Sequence, residues 1–130
     1  MGAECLDDMI ARMRGLDSFT AEAAKEAAPL VQTSARRTAA AGTTPEGKAW
    51  PPKKDGGRAL EHAAEHVTAV AVGSAIEVTL TGPDVFHNKG TASVPERRVI
   101  PRVGDPIPRT YADAMREGAR RAFLRITGGR

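Results

Sequence analysis

The stretch Thr43-Thr44-Pro45-Glu46-Gly47-Lys48-Ala49-Trp50-Pro51-Pro52-Lys53-Lys54 constrains the fold more than any other part of this chain. It suits neither a helix interior nor a central strand: Pro45, Pro51 and Pro52 have no backbone donor, and Pro-Glu-Gly is turn chemistry. Pro51 and Pro52 hold the chain around Trp50 extended. Trp50 is the only tryptophan, and its indole is the largest apolar surface within reach. The segment reads as a docking strap whose anchor, Trp50, seeks an apolar site on its own or an adjacent copy.

On either side of the strap the pattern changes. Leu6, Met9, Ile10, Met13 and Leu16 recur at three- and four-residue spacing, which predicts an amphipathic helix over Ala3 to Arg14, ended by Gly15. Asp17 and Ser18 offer N-caps for a longer alanine-rich helix with an inner face of Ala23, Ala27, Leu30, Val31, Ser34 and Thr38, kinked at Pro29 and closed by Gly42. Residues 42–57 then form a long surface arm. Arg58 to His66 suits a short helix. Val67 to Val72 and Ala75 to Thr81 read as strands joined by a two-residue turn at Gly73-Ser74. Gly82-Pro83-Asp84 closes that unit, and residues 82–108 form a second long loop. Thr110 and Asp113 make a capping-box pattern for a last helix with a stripe of Tyr111, Ala114, Met115, Ala119, Ala122 and Ile126, ending before Gly128-Gly129.

These elements fit one domain over residues 1–130, long enough to bury roughly 65 to 70% of its unfolded surface. With three Phe, one Tyr and one Trp, the core must be built from Ala, Val, Leu, Ile and Met, which suits helix packing better than a deep ligand cavity. The fold class is α+β: helices at both termini packed on a small, mostly antiparallel sheet, with a central hairpin and two long arms. Cys5, the only cysteine, excludes an intramolecular disulfide and fits a reducing compartment. No apolar run reaches membrane-spanning length, the start lacks the basic region of a signal peptide, and Leu6 breaks the myristoylation pattern.

The net charge of +3 is unevenly spread. Glu4, Asp7, Asp8, Asp17, Glu22 and Glu26 make the beginning acidic, whereas nine arginines follow Glu96. Such asymmetry serves head-to-tail contact between copies, or presents a basic face to nucleic acid. In the last helix, Arg116 with Arg120 and Arg121 with Arg125 stand four apart, and Glu117 is placed to pair with Arg121. These four arginines are the candidate face for DNA or an acidic partner.

Catalytic signals are sparse. His62-Ala63-Ala64-Glu65-His66 matches the H-x-x-E-H pattern of inverted zinc peptidases, in which two histidines four apart on a helix hold a metal and the glutamate activates water. The segment is short, abuts a strand and lacks a third ligand, so exposed histidines are the preferred reading. His87 has no acid or thiol partner nearby in sequence and reads as a turn histidine. No catalytic, cofactor or metal residue is assigned.

The succession of weak motifs is more telling than any one of them. Pro45, Gly47, Trp50 and Pro52, then a hairpin, then His87 and Gly90, then Pro95, Arg97 and Pro101 follow one another in an order that resembles the tail-completion (virion morphogenesis) family of tailed phages. The chain departs from the usual His-Gln-aromatic-Gly, having His87-Asn88-Lys89-Gly90. The resemblance implies a non-enzymatic virion protein, assembled in the host cytoplasm, that completes the tail and joins it to the head. It implies a hexameric ring of copies around the DNA channel, touching tail-tube and head-connector proteins and lacking membrane contact. Trp50, Pro52, His87, Gly90, Pro95, Arg97 and Pro101 become the expected subunit interface, with Arg97 reaching a carboxylate across the boundary. The alternative from another class is a small basic nucleic-acid-binding module using the last helix.

Overall fold

The computed structural model describes residues 18–57 and 59–128. The helix expected over Ala3 to Arg14, Cys5, the Asp17 cap and Arg58 lie outside the described residues. The first described helix, α1 (Phe19–Ala40), has Ser18 as its N-cap and passes through Pro29 as one continuous element. Pro29 and Lys25 both lie on the exposed side, so the Lys25 carbonyl that loses its donor faces water. The buried face is Ala24, Ala27, Ala28, Val31, Ala35 and Ala39. It is therefore rotated from the expected stripe, which shares only Ala27 and Val31 with it. Alanine carries little apolar area, and periodicity alone could not rank one alanine face above the next. Gly42, at φ +76°, takes the left-handed position just past the helix end.

Ala63–His66 is a 3-10 turn, shorter than the expected helix. Strands β1 (Val67–Val72) and β2 (Ala75–Leu80) follow as an antiparallel hairpin, with Val67 opposite Leu80 and Val72 opposite Ala75. Gly73, with φ +61°, occupies the first central position that a type II′ turn reserves for glycine. This is the two-stranded sheet. Val67 and Ala69 point into the core, whereas Thr68, Val70 and Val72 are exposed.

The second loop is more ordered than expected. It opens with a short helix, α2 (Asp84–Lys89), for which Pro83 is the N-cap. Gly82-Pro83-Asp84 thus starts an element instead of merely closing the hairpin; proline at a helix start loses no needed donor. The last helix, α3 (Arg109–Ile126), begins one residue before Thr110, with Pro108 at the N-cap. The expected capping box is absent: the Thr110 hydroxyl donates to the Pro45 carbonyl at 3.5 Å, and Asp113 pairs with Arg116 instead.

Helices α1 and α3 form the most extensive packing between elements. Tyr111, Ala114, Gly118 and Ala122 are the buried residues of α3, while Met115 is 40% exposed. Gly118 governs the approach: a Cβ there would lie 2.5 Å from the Ala27 Cα and Cβ. No side chain fits between the two backbones. At the far end Phe19 and Phe123 meet edge to face, with ring centroids 6.5 Å apart. β1 lies against α1, and Val31, Val67, Val99 and Pro45 are the largest fully buried side chains.

Candidate functional site: the junction of the two arms

Residues 42–57 do not hang free as a surface arm. The Gly47 amide donates to the Thr44 carbonyl at 2.9 Å and the Thr44 amide to the Lys48 carbonyl at 2.8 Å. With Gly47 at φ +93°, this is a type I turn followed by a left-handed glycine, the geometry of a tight hairpin with a bulge. A bridge between Thr43 and Ala49, and the Trp50 amide bonded to the Gly42 carbonyl, return the chain to the end of α1. Pro45 is fully buried at the tip of this loop, and Trp50 is only 8% exposed.

The indole settles a question that the sequence left open. Trp50 packs into the core of its own chain, and its Nε1–H donates to the Arg98 carbonyl at 2.8 Å. Arg97 is buried as well, 4% exposed. Its Nε donates to the Pro51 carbonyl at 2.7 Å, Nη2 to the Pro52 carbonyl at 2.9 Å, and Nη1 to His87 Nδ1 at 3.0 Å. The expectation that this guanidinium lacks local partners and reaches across a subunit boundary is corrected: both residues lie inside one subunit. Isolated from its fold, an Arg between prolines shows no nearby acceptor; the acceptors are carbonyls more than forty residues away in sequence.

Since arginine only donates, His87 Nδ1 must be the acceptor, which requires an unprotonated Nδ1. Burial, then the neighbouring Arg97 charge, lowers the His87 pKa, while Asp84 opposes the shift. His87 belongs to α2 and is no turn histidine. Its carbonyl also accepts the Arg97 amide at 2.7 Å. Gly90, at φ +74°, sits so close to Glu96 that a Cβ would fall 3.2 Å from that residue's backbone. Pro101 is half-buried, while Pro52 and Pro95 are exposed.

Two participants escaped the sequence reading. Asn88, 8% exposed, accepts from the Val99 and Ile100 amides at 2.7 and 2.9 Å through its Oδ1. Asp84, also buried, pairs with His66 Nδ1 and ties α2 to the foot of β1. A polar side chain inside a short helix gives no periodic signal, and no spacing rule links it to backbone eleven and twelve residues on. Among the described residues, Tyr111 Oη and Arg98 Nε are buried without a partner. Burial, reinforced by the nearby Glu46 charge, pushes the Tyr111 phenol pKa up.

An open groove of about 470 Å³ runs beside the junction, lined by Trp50 and Pro51 and by charges of both signs from Glu46, Lys48, Glu96 and Arg98. Glu96 is engaged by Arg98 and Arg102, and the bond from Arg98 is the main reason its carboxyl titrates lower than usual. The zinc pattern does not assemble. In a 3-10 turn residues four apart do not share a face. His62 is exposed beside Glu65, and His66 is held by Asp84. Among the described residues no group of three or more His, Cys, Asp or Glu could hold a metal ion.

The four candidate arginines of α3, Arg116, Arg120, Arg121 and Arg125, are exposed and each has a carboxylate of its own chain. Arg116 meets Asp113, Arg120 and Arg121 share Glu117, and Arg125 reaches Glu22 and Glu26 on α1. Glu117 is held down to about 2, first by its bond to Arg120 and then by Arg121. Exposed pairs of this kind are screened by water and salt and contribute little to stability. The acidic and basic parts of the chain that could attract between copies thus meet, in part, within one. No protein-family model, curated protein or solved structure matches this chain.

Proposed function

We propose that this protein is a structural component of a tailed phage or prophage particle, a tail-completion protein that works as a ring of copies, six by family resemblance, between tail tube and head connector. One observation carries the reading. Residues from three of the segments behind the resemblance converge: Trp50 and the Pro51 and Pro52 carbonyls, His87, and Arg97 are tied into one knot around the buried Trp50 and Arg97 side chains. Residues met in a scattered succession act together, as parts of one family signature would. In this reading the knot gives each subunit its shape, and other surfaces make the contacts between copies. Exposed Val70, Val72 and Phe86 supply apolar area for such contacts. No helix among the described residues is long and apolar enough to cross a membrane.

Imaging of assembled particles with this chain located by an added density tag tests the proposal. Expected is a ring of tagged copies on the tail axis at the head–tail junction. Copies scattered off the axis, or a protein found only on DNA with an affinity that collapses between low and physiological salt, would favour the nucleic-acid module instead.

A further inference from the structure

The two edges of the hairpin are treated differently. In the β1–β2 ladder, Val72, Val70 and Thr68 lie opposite Ala75, Glu77 and Thr79, and the Thr81 amide donates to the His66 carbonyl in the same alternation. A two-residue turn makes these the hydrogen-bonded pairs, so Val67, Ala69 and Ala71 on β1, and Ile76, Val78 and Leu80 on β2, turn their backbone groups outward. The β1 edge is capped. Gln32 Oε1 accepts the Ala69 amide at 2.9 Å, and Arg36 Nε donates to the Val67 carbonyl at 2.9 Å, both from α1. Among the described residues nothing bonds to the outward groups of Ile76, Val78 or Leu80.

Beside that open edge runs an apolar trough of about 270 Å³, in which Ile76 and Val78 face Pro101, Ile107, Tyr111 and Met115. At the Leu80 end it continues past Val85 and Val103, and at the Ala75 end past Phe19 and Ala119. An unpaired strand edge with apolar side chains beside it is a template for another strand.

We propose that the open β2 edge pairs, antiparallel and about a two-fold axis, with β2 of a second copy, giving a four-stranded sheet ordered β1-β2-β2-β1. The strand is self-complementary when Val78 faces Val78 of the second copy. Ile76 then faces Leu80, all three outward-turned residues find partners in roughly six backbone hydrogen bonds, and the apolar side chains extend the sheet over the trough. Charge disfavours the neighbouring register. Glu77, the only ionisable residue of β2, falls opposite Thr79 of the second copy, whereas centring the pair on Glu77 would oppose two carboxylates. The contact is isologous and a ring closes through heterologous ones, so it goes beyond the proposed ring and uses a different surface; together they would join two rings face to face.

Sedimentation of the full chain over a concentration series tests this, with circular dichroism to show that each variant is folded. The wild type should show a reversible monomer–dimer equilibrium. Thr79→Glu puts like charges opposite each other twice per dimer and should weaken association about tenfold. Adding Glu77→Lys to it, or making Thr79→Lys alone, sets opposite charges facing each other twice and should tighten the dimer beyond the wild type. A wild type that stays monomeric at high concentration, or a dimer indifferent to these changes, would overturn the proposal.

Discussion

Where α1 crosses α3 the contact is made by what is missing: Gly118 has no side chain, and Ala27 and Ala114 have little, so the backbones come together over small residues. Where residues 42–57 meet 82–108 the contact is made by reach. One guanidinium spans two carbonyls and an imidazole, one carboxamide holds two amides, and one indole bonds a carbonyl forty-eight residues away. The helix crossing tolerates no added atom. The junction depends on its donors, because each partly buried acceptor that loses one must find another partner. Apolar closeness builds the frame, and directed hydrogen bonds fix the irregular segments that no ladder could hold.

Removing the central donor should break this contrast most forcefully. Arg97→Ala leaves the Pro51 and Pro52 carbonyls and His87 Nδ1 unmatched and opens a void, with an expected loss of about 4 kcal/mol in denaturant unfolding. Arg97→Lys should recover only part of it, since an ammonium cannot copy the fork. If Lys restores full stability, the geometry of the guanidinium is irrelevant. Gly118→Val attacks the other region. Its side chain meets Ala27 backbone that cannot swing away, and about 3 kcal/mol should be lost while the Trp50 environment, followed by fluorescence, stays native below the transition. Trp50→Phe sharpens the account of the junction by keeping an aromatic ring while deleting the bond to Arg98; about 1.5 kcal/mol is expected, against about 4 for Trp50→Ala.

The smallest effect concerns pH. The folded-state pKa of His87 lies below its ordinary value of 6.5, so the unfolded chain takes up the proton first. Its contribution is present above pH 6.5 and is lost as pH falls from there through the folded pKa. His87→Gln should flatten that part of the stability–pH curve; an unchanged slope would show that Nδ1 does not accept from Arg97.

The same contrast explains what the sequence revealed. The hairpin was legible at almost every residue because Gly73 and the alternation at Ile76, Val78 and Leu80 are local signals, as were Gly42 and the span of α3. The face of α1 was legible only in part, since a run of alanines has weak contrast between its sides. Gly118 passed unnoticed because a glycine within a helix reads as a cost until its neighbour is known. At the junction the structure brings together Trp50, His87 and Arg97, which the sequence singled out, but it joins them by contacts within one chain and places Trp50 and Arg97 inside one subunit. Whether an anchor buries itself in its own chain or in the next depends on loop closure, which composition does not encode.

Hydrogen exchange of the Trp50 indole N–H, followed by NMR at a dilution where the chain is monomeric, tests most directly whether the junction belongs to one subunit. The bond to the Arg98 carbonyl predicts strong protection that does not change with protein concentration and is lost in Arg97→Ala. An indole that exchanges freely in the monomer and becomes protected only on assembly would contradict the account and return Trp50 to the interface between copies.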